Sequence, residues 1–445
     1  MIEFELDPQT LKDLGIFVDN TSEKSISNIY NRTQTEGGRN YLYQLMRHPI
    51  SDIDRLKKRT ELIQYMMSED FELKISADQL AYVEHYLKLN TDPLKNSKGS
   101  ALIQHLSHQI SPDNDYYLIQ SGVQQLVYLF KHLRDKLRST NTTIPSLQFK
   151  AYQERIIELI EHSDFECIYE KSEKISFTKL NKLDHLLREK YKEQTEDLVD
   201  LVYKLDAYIS IAKVSKHRQF VIPEYSTLNT QKLTLDTFYH PLLKKAVPYS
   251  LQMDETSHLC FLTGPNMAGK STFLKSVGLS IYLAHIGFPV PAKKMTTTIY
   301  HGIMTAINLS DDIHLGHSHF YSEVKRVKET ALKIKDKKRL FVIFDELFRG
   351  TNVKDAFDSS LLVIKAFSEI KESTFFISTH ITEIANEIEY IKNIQFKRLG
   401  SKRVNNIPTY TYTLENGISH ERMGMQILKK EGVIDILDSI VNNKK

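Results

Sequence analysis

Apolar residues between about residue 10 and residue 215 recur every three or four positions, which is the spacing of one buried face on an α-helix. The clearest example consists of Leu198, Leu201, Val202, Leu205, Ile209 and Ala212. Helix breakers gather at Asn90–Ser100 and Ser139–Pro145. The pattern predicts an all-α domain over residues 1–215. Within it, Leu180–Lys216 is compatible with one long helix, and a packed amphipathic helix is favoured over a coiled coil.

The pattern changes after Lys216, where short apolar runs begin to alternate with helical segments. Strands are predicted at Leu259–Thr263, Leu340–Phe344 and Thr374–Ser378, and helices at Ser271–His285 and Ala356–Glu369. Such alternation is typical of a mostly parallel sheet covered by helices. The sequence therefore predicts a multidomain protein, in which an all-α domain is followed by an α/β domain with a boundary near residues 215–230.

Composition narrows the class of protein. The chain has 445 residues, 41% of them hydrophobic, and no apolar run approaches the length that spans a bilayer. The acidic N-terminus does not resemble a signal peptide, and Cys167 and Cys260 are the only cysteines. We therefore expect a cytoplasmic protein with reduced thiols and no membrane partner. Acidic residues outnumber basic ones in residues 1–215, which is not typical of a dedicated nucleic-acid grip.

A glycine-rich segment fits the pattern G-x-x-x-x-G-K-[ST] of a phosphate-binding loop. Its residues are Gly264, Pro265, Asn266, Met267, Ala268, Gly269, Lys270, Ser271 and Thr272. The strand before it and the helix after it supply the context that such a loop requires, because backbone N–H groups and the helix N-terminus face the phosphates. We expect ATP as ligand, with Lys270 on the β- and γ-phosphates and Ser271 on Mg²⁺.

Two further strand ends carry candidate chemistry. Asp345 and Glu346 follow an apolar strand, and this pattern predicts that Asp345 binds Mg²⁺ while Glu346 activates the attacking water. His380 follows the strand Thr374–Ser378 and is a candidate sensor of the γ-phosphate. Taken by itself, His380 is better explained as a structural histidine.

Other polar segments are less informative. Ser310–Glu323 has no generic chemical meaning and reads as a polar turn before a helix. Short basic clusters lie at Arg55–Arg59, Lys131–Arg138 and Lys397–Arg403, and solvated helix or hairpin faces explain them better than a nucleic-acid site.

Several segments together resemble the MutS-type DNA mismatch-repair ATPases. The matching segments are Leu262–Thr272 with its Pro-Asn-Met interior, Asp345–Thr351, Ser310–Glu323, the strand end at His380, Gly417, Gly424, Gly432 and Val433, and, upstream, Ile29–Arg39, Met46–Ile50 and Tyr203–Ile209. The resemblance implies a helical core and lever domain over residues 1–215, a P-loop NTPase domain of the ABC-ATPase/MutS type over 216–425, and a dimerisation segment over 426–445. It also implies a homodimer in which Ser318 contacts the nucleotide of the opposite subunit.

The departures from this family limit what the resemblance implies. We expect the mismatch-reading and connector domains to be absent and the DNA-gripping clamp to be reduced or absent. Phe348 stands where the family usually has glycine, His319 where it has threonine, and Arg422 and Met423 where serine and tyrosine are common.

These observations lead to two main hypotheses. The first is an ATP-dependent switch whose dimeric site moves helical arms that bind duplex or branched DNA by shape and phosphate contacts, in DNA repair or recombination. The alternative is a nucleotide-gated module that docks a protein or RNA without recognising mismatches. A transporter ATPase fits poorly, because the chain lacks the glycine-rich signature of that class.

Overall fold

A computed structural model describes residues 3–18, 24–94, 114–140, 146–170, 175–227, 231–307, 319–336, 339–404, 407–419 and 432–442. The chain divides into two compact units, here called the sheet unit (Met1–Asn28, His48–Lys57 and Arg218–Lys445) and the helical unit (Ile29–Arg47 and Lys58–His217). None of the described helices is long and apolar enough to cross a bilayer.

Helices account for most of the regular structure. They are α1 (Pro8–Asp13), α2 (Ile26–Tyr30), α3 (Glu36–Arg47), α4 (Ile53–Ser68), α5 (Ala77–Leu87), α6 (Asn114–Ser139), α7 (Leu147–Ile160), α8 (Phe177–His185), α9 (Lys192–Arg218), α10 (Lys270–His285), α11 (His319–Lys335), α12 (Val353–Ser368), α13 (Ile384–Ile388) and α14 (Val433–Asn442). A 3₁₀ turn lies at Ser163–Tyr169 and a π turn at Leu186–Lys190.

The helical unit begins several of its helices at serine caps. Ser76 accepts from the N–H of Gln79, whose side chain bonds back to the N–H of Ser76, and this reciprocal capping box starts α5. Ser146 and Ser176 are the N-caps of α7 and α8, but each makes only the bond from its side chain to a backbone N–H of the first turn. Side-chain chemistry at these positions therefore sets where the helices begin.

The single helix expected over Leu180–Lys216 is interrupted. Helix α8 passes into the π turn Leu186–Lys190, where the N–H of Tyr191 bonds to the carbonyl of Leu186, and α9 starts at Lys192. A π turn inserts an i→i+5 bond into the helical ladder and shifts the face that follows it. Apolar spacing alone does not reveal this shift, because both flanking segments retain helical periodicity.

Helix α9 is fastened to the start of α3 within the helical unit. The carboxylate of Asp206 accepts from the N–H of Gln34 at 3.0 Å and from the N–H and hydroxyl of Thr35 at 2.9 and 2.7 Å. The glycines of α3 allow close approach, since a Cβ on Gly37 would lie 2.4 Å from the ring of Tyr203. Asp206 thus fixes the two residues that precede α3, and the hydroxyl of Thr35 in turn accepts from the N–H of Gly38 at 2.9 Å in the first turn of that helix.

The sheet unit contains two sheets. Its strands are β1 (Glu5–Leu6), β2 (Glu224–Tyr225), β3 (Lys232–Phe238), β4 (Tyr249–Asp254), β5 (Leu259–Thr263), β6 (Lys294–Thr297), β7 (Gly302–Ala306), β8 (Leu340–Phe344), β9 (Thr374–Ser378), β10 (Ile394–Val404) and β11 (Ile407–Asn416). The larger sheet has the order β1-β7-β8-β9-β5-β10-β11 and is parallel except for the β10–β11 hairpin, and the smaller has the order β2-β6-β3-β4.

The predicted strands and the helix after the phosphate loop are confirmed. Strands β5, β8 and β9 are buried at every position, as expected for parallel strands covered on both faces. Because neighbouring parallel strands end at the same edge of a sheet, the residues that follow β5, β8 and β9 meet there.

The first residues of the chain belong to the sheet unit, whereas the sequence pattern assigned residues 1–215 to one helical domain. Strand β1 pairs parallel with β7, and the buried Asp13 accepts from the hydroxyl of Thr305 at 2.7 Å and from the N–H of Ile307 at 2.9 Å. Arg326 bonds to Asp7 at 2.7 Å. These pairings join residues about three hundred positions apart, so a boundary drawn from local periodicity does not detect them.

Candidate active site

The phosphate-binding loop leaves β5 and enters α10 through two glycines. Gly264 has φ 153° and Gly269, which precedes the helix, has φ 98°, a backbone region that favours glycine. Gly269 forms no side-chain cap. The first N–H groups of α10 therefore lack a capping side chain at Gly269, and a helix N-terminus of this kind suits an anion.

The loop residues divide into buried and exposed positions. Pro265 and Ala268 are buried, Asn266 is exposed, and Met267 at the tip is 74% exposed with φ 65°. Ser271 and Thr272 are half-buried in the first turn of α10. Because the side chains at the tip are exposed, we expect the backbone N–H groups and Lys270 to line the concave side of the loop.

Lys270 is 5% exposed, and burial lowers the pKa of its ammonium group. Its Nζ donates to the carbonyls of Gly264 at 3.0 Å and Pro265 at 3.4 Å. The ammonium group is therefore held across the mouth of the loop by weak neutral acceptors. A phosphate oxygen is a stronger partner for it.

The two predicted magnesium ligands are in contact. The hydroxyl of Ser271 donates to Oδ2 of Asp345, which follows β8. Within the described ranges, no group of three or more His, Cys, Asp or Glu side chains is arranged to hold a metal ion by itself. A hydroxyl and one carboxylate are a donor set that suits Mg²⁺ shared with substrate phosphates, so these residues fit the ion that the sequence implied.

Glu346 is held next to His380. Oε1 of Glu346 lies 2.7 Å from Nε2 of His380, and Oε2 lies 3.3 Å from Arg349. The hydrogen bond from His380 is the main reason that the pKa of Glu346 falls to about 2. Because a carboxylate only accepts hydrogen bonds, Nε2 of His380 carries the proton in this contact.

The backbone around the two acids is unusual. Glu346 has φ 58° and Phe348 has φ 61°, both in the left-handed region that disfavours side chains with a Cβ. Phe348 is buried, and its ring lies 5.5 Å from that of Phe320 near the start of α11. Backbone strain of this kind is concentrated at functional sites.

The structure thus brings Lys270, Ser271, Asp345, Glu346 and His380 to one edge of the sheet. Ser318 lies outside the described residues, and its contact with a second subunit stays a prediction.

Sequence reasoning missed two features of this edge. Ser378, the last residue of β9, contacts both acids. Tyr412 on β11 borders the phosphate loop, since a Cβ on Gly269 would lie 3.3 Å from its ring and 3.8 Å from the hydroxyl of Tyr249. A half-exposed aromatic ring at this place offers a stacking surface for a nucleobase. The only sequence signal for Tyr412 is the aromatic alternation along β11, which is common in strands.

Comparison with known proteins identifies the family to which both parts of the chain are similar. Residues 260–443 match the family model for MutS domain V, and residues 9–212 match the one for MutS domain III. The DNA mismatch repair protein MutS of Petrotoga mobilis is 30% identical over 266 residues, which is 58% of this chain and 31% of that protein. MutS protein homolog 4 of Mus musculus is 32% identical over 236 residues, which is 51% of this chain and 24% of that protein. The chain therefore spans less than a third of the length of either relative.

Proposed function

This chain belongs to the MutS family, and we propose that it is an ATP-dependent switch protein that binds and hydrolyses ATP at the edge of its larger sheet. One observation carries the proposal: the loop lysine, the Ser271–Asp345 pair and the Glu346–His380 pair converge where β5, β8 and β9 end. These are the groups that phosphoryl transfer to water needs, namely phosphate contacts, metal ligands and a water-orienting base.

Each side chain has a distinct role in this mechanism. Lys270 exchanges its carbonyl partners for phosphate oxygens and stabilises the charge that develops on them. Ser271 and Asp345 would hold Mg²⁺, which would supply positive charge against the phosphate oxygens. Glu346 orients the attacking water and accepts its proton, and His380 keeps that carboxylate directed toward the site.

The sheet topology supports assignment to the ABC-ATPase type of P-loop domain. Strand β5, which leads into the phosphate loop, lies between β9 and β10, and an antiparallel hairpin extends the sheet beyond it. The acids after β8 are thus separated from the phosphate loop by β9 alone. The residues that end β9 can therefore contact both.

Dimerisation is the second part of the proposal. Helix α14 exposes Ile436, Leu437 and Ile440, an apolar face on a helix that lies in the segment predicted to pair subunits. A homodimer would also bring Ser318 of one chain to the nucleotide of the other, as the family resemblance implies.

The names of two relatives, both DNA mismatch repair protein MutS, support a role in DNA repair as a third part of the proposal. We propose that the helical arms bind duplex or branched DNA by shape and phosphate contacts when ATP is bound. A gel-shift titration at low salt with homoduplex, mismatched and junction DNA tests this part. Absence of binding to all three in the presence of ATP would contradict it.

The hydrolysis proposal is tested with Glu346→Gln. We expect this variant to bind ATP like the wild type and to hydrolyse it at least about 100-fold more slowly, because a positioned base contributes about 10² to 10⁴ in rate. Phosphate release measures turnover, and equilibrium binding of a fluorescent ATP analogue measures affinity. Glu389→Gln, which changes an exposed glutamate of the same unit, is the matched control. Unchanged turnover in Glu346→Gln would contradict the assignment.

Light scattering on Glu346→Gln tests the dimer. Because this variant should retain ATP, we expect a dimer at micromolar concentration with ATP and Mg²⁺, and a larger monomer fraction without nucleotide. A monomer under both conditions would overturn this part.

A further inference from the structure

Ser378 makes three hydrogen bonds to the segment that carries the two acids. Its hydroxyl donates to Oδ1 of Asp345 and accepts from the N–H of Glu346 at 2.9 Å. Its carbonyl accepts from the N–H of Leu347 at 3.3 Å. Ser378 is fully buried at the end of β9, whereas Asp345 and Glu346 are half-buried.

The bond to the N–H of Glu346 has a conformational consequence. Glu346 has φ 58°, a conformation that is unfavourable for a residue with a side chain. Such a conformation persists only where its surroundings fix it. Ser378 bonds to Asp345, Glu346 and Leu347, and it therefore fixes the turn on both sides of the strained residue.

A hydroxyl is the chemical group that this place requires. It supplies one donor, used by the carboxylate of Asp345, and acceptor lone pairs, one used by the N–H of Glu346. Alanine would remove both bonds, whereas threonine keeps the hydroxyl and adds one methyl group. The same oxygen atom thus links the candidate metal ligand to the backbone of the candidate base.

We propose that Ser378 is a positioning residue for ATP hydrolysis, which fixes Asp345 and Glu346 relative to each other so that metal ligand and base act as one unit. This inference rests on the proposed ATPase function and adds to it a residue that acts through its hydrogen bonds to Asp345, Glu346 and Leu347.

Strand β9 offers a matched control at its other end. Ser373, which directly precedes β9, is also fully buried, and its hydroxyl accepts from the N–H of Leu340 at 3.1 Å. Leu340 is the first residue of β8, whereas Asp345 directly follows that strand. The two serines therefore make similar contacts to the chain of β8, one far from the acids and one against them.

The experiment compares Ser378→Ala, Ser378→Thr and Ser373→Ala with the wild type in the full-length chain. Single-turnover hydrolysis gives the rate and its dependence on Mg²⁺ concentration, a fluorescent analogue gives ATP affinity, and thermal unfolding gives stability. We expect Ser378→Ala to lower the rate or to raise the Mg²⁺ concentration at half-maximal rate by about 10- to 100-fold, as is usual for residues that orient a metal ligand. ATP affinity should change by less than about threefold, because the phosphate loop is intact.

The other two variants separate positioning from packing. Ser378→Thr should recover most of the rate because it keeps the hydroxyl, and Ser373→Ala should keep the wild-type rate and Mg²⁺ dependence. The positioning role would be overturned if Ser378→Ala and Ser373→Ala lost rate equally and in proportion to their loss of thermal stability. An unchanged rate and Mg²⁺ dependence in Ser378→Ala would also overturn the positioning role, but it would leave the proposed ATPase function in place. A wild-type chain that neither binds nor hydrolyses ATP would overturn the ATPase function and the positioning role together.

Discussion

The helical unit and the sheet unit each contain an aspartate that is held by several side chains, and the partners of the two differ: Asp184 is fully buried, whereas Asp345 is half-buried. In the helical unit, the buried Asp184 is paired with Arg188, at 2.7 Å to Oδ1 and 2.9 Å to Oδ2. It also accepts from the hydroxyl of Tyr86 and the N–H of Leu94. A fixed cation and fixed donors thus occupy both of its oxygens.

In the sheet unit, the partners of Asp345 are the hydroxyls of Ser271 and Ser378. Neither is charged, and a hydroxyl can rotate away or turn its own lone pairs toward a cation. Burial of a carboxylate therefore does not by itself identify a functional site. The nature of its partners does, since Asp345, unlike Asp184, can exchange a partner for a metal ion without leaving a buried cation unpaired.

The largest expected effect comes from removing the cation that pairs with Asp184 in the helical unit. Arg188→Ala should destabilise the chain by about 3 to 5 kcal/mol, because Asp184 is left buried without its counter-charge. Arg155→Ala, which breaks the exposed pair with Asp197, should cost less than about 1 kcal/mol. Urea unfolding followed by circular dichroism measures both. A cost for Arg188→Ala no larger than that for Arg155→Ala would show that the buried pair is not structural.

A smaller effect on stability is expected from Glu323 on α11, a buried acid of the sheet unit. Burial raises its pKa from 4.5 to about 7, with the charge of Glu346 adding to the rise, while Arg349 and the N–H groups of Gly350 and Arg349 oppose it. The folded state therefore holds the proton more tightly than the unfolded state. The stabilising contribution is present in full below the unfolded value and is lost as pH rises through about 7.

Glu323→Gln should remove part of this pH dependence. Between pH 5 and 8 the wild-type melting temperature should fall relative to that of the variant by roughly 5 to 10 °C, because a pKa raised from 4.5 to about 7 changes stability by about 2.5 kcal/mol over this range and each kcal/mol moves the melting temperature by roughly 2 to 4 °C. The exposed Glu387→Gln is the control. Parallel pH profiles for wild type and Glu323→Gln would contradict the raised pKa.

The sequence predicted those parts of the site that depend on short-range order. The phosphate loop, Asp345 and Glu346 stand in contiguous motifs, and their strands are recognisable as apolar runs, so their meeting at one sheet edge follows from parallel topology. The family resemblance also implied two domains, and the matches to MutS domains III and V confirm the family.

The remaining features depend on contacts between distant residues. Nothing local marks Ser378 as the partner of Asp345, nor Asp13 as the partner of Thr305. The π turn before α9 cannot be predicted from the sequence for a related reason. It changes one hydrogen bond in the helical ladder, whereas both neighbouring segments keep a helical composition. The sequence therefore does not predict which polar side chains pair with each other when they lie far apart in the chain.

The most direct test of the account is the Mg²⁺ dependence of ATP hydrolysis by Asp345→Asn. Single-turnover rates should be measured across a Mg²⁺ titration, beside ATP affinity without Mg²⁺, with the exposed Asp358→Asn as control. We expect ATP affinity within about threefold of wild type and a Mg²⁺-dependent rate at least about 100-fold lower, because a bound metal supplies several kcal/mol of transition-state stabilisation. A Mg²⁺-dependent rate within about tenfold of wild type would contradict the assignment of Asp345 as the metal-binding carboxylate. A tenfold change corresponds to only about 1.4 kcal/mol of activation free energy.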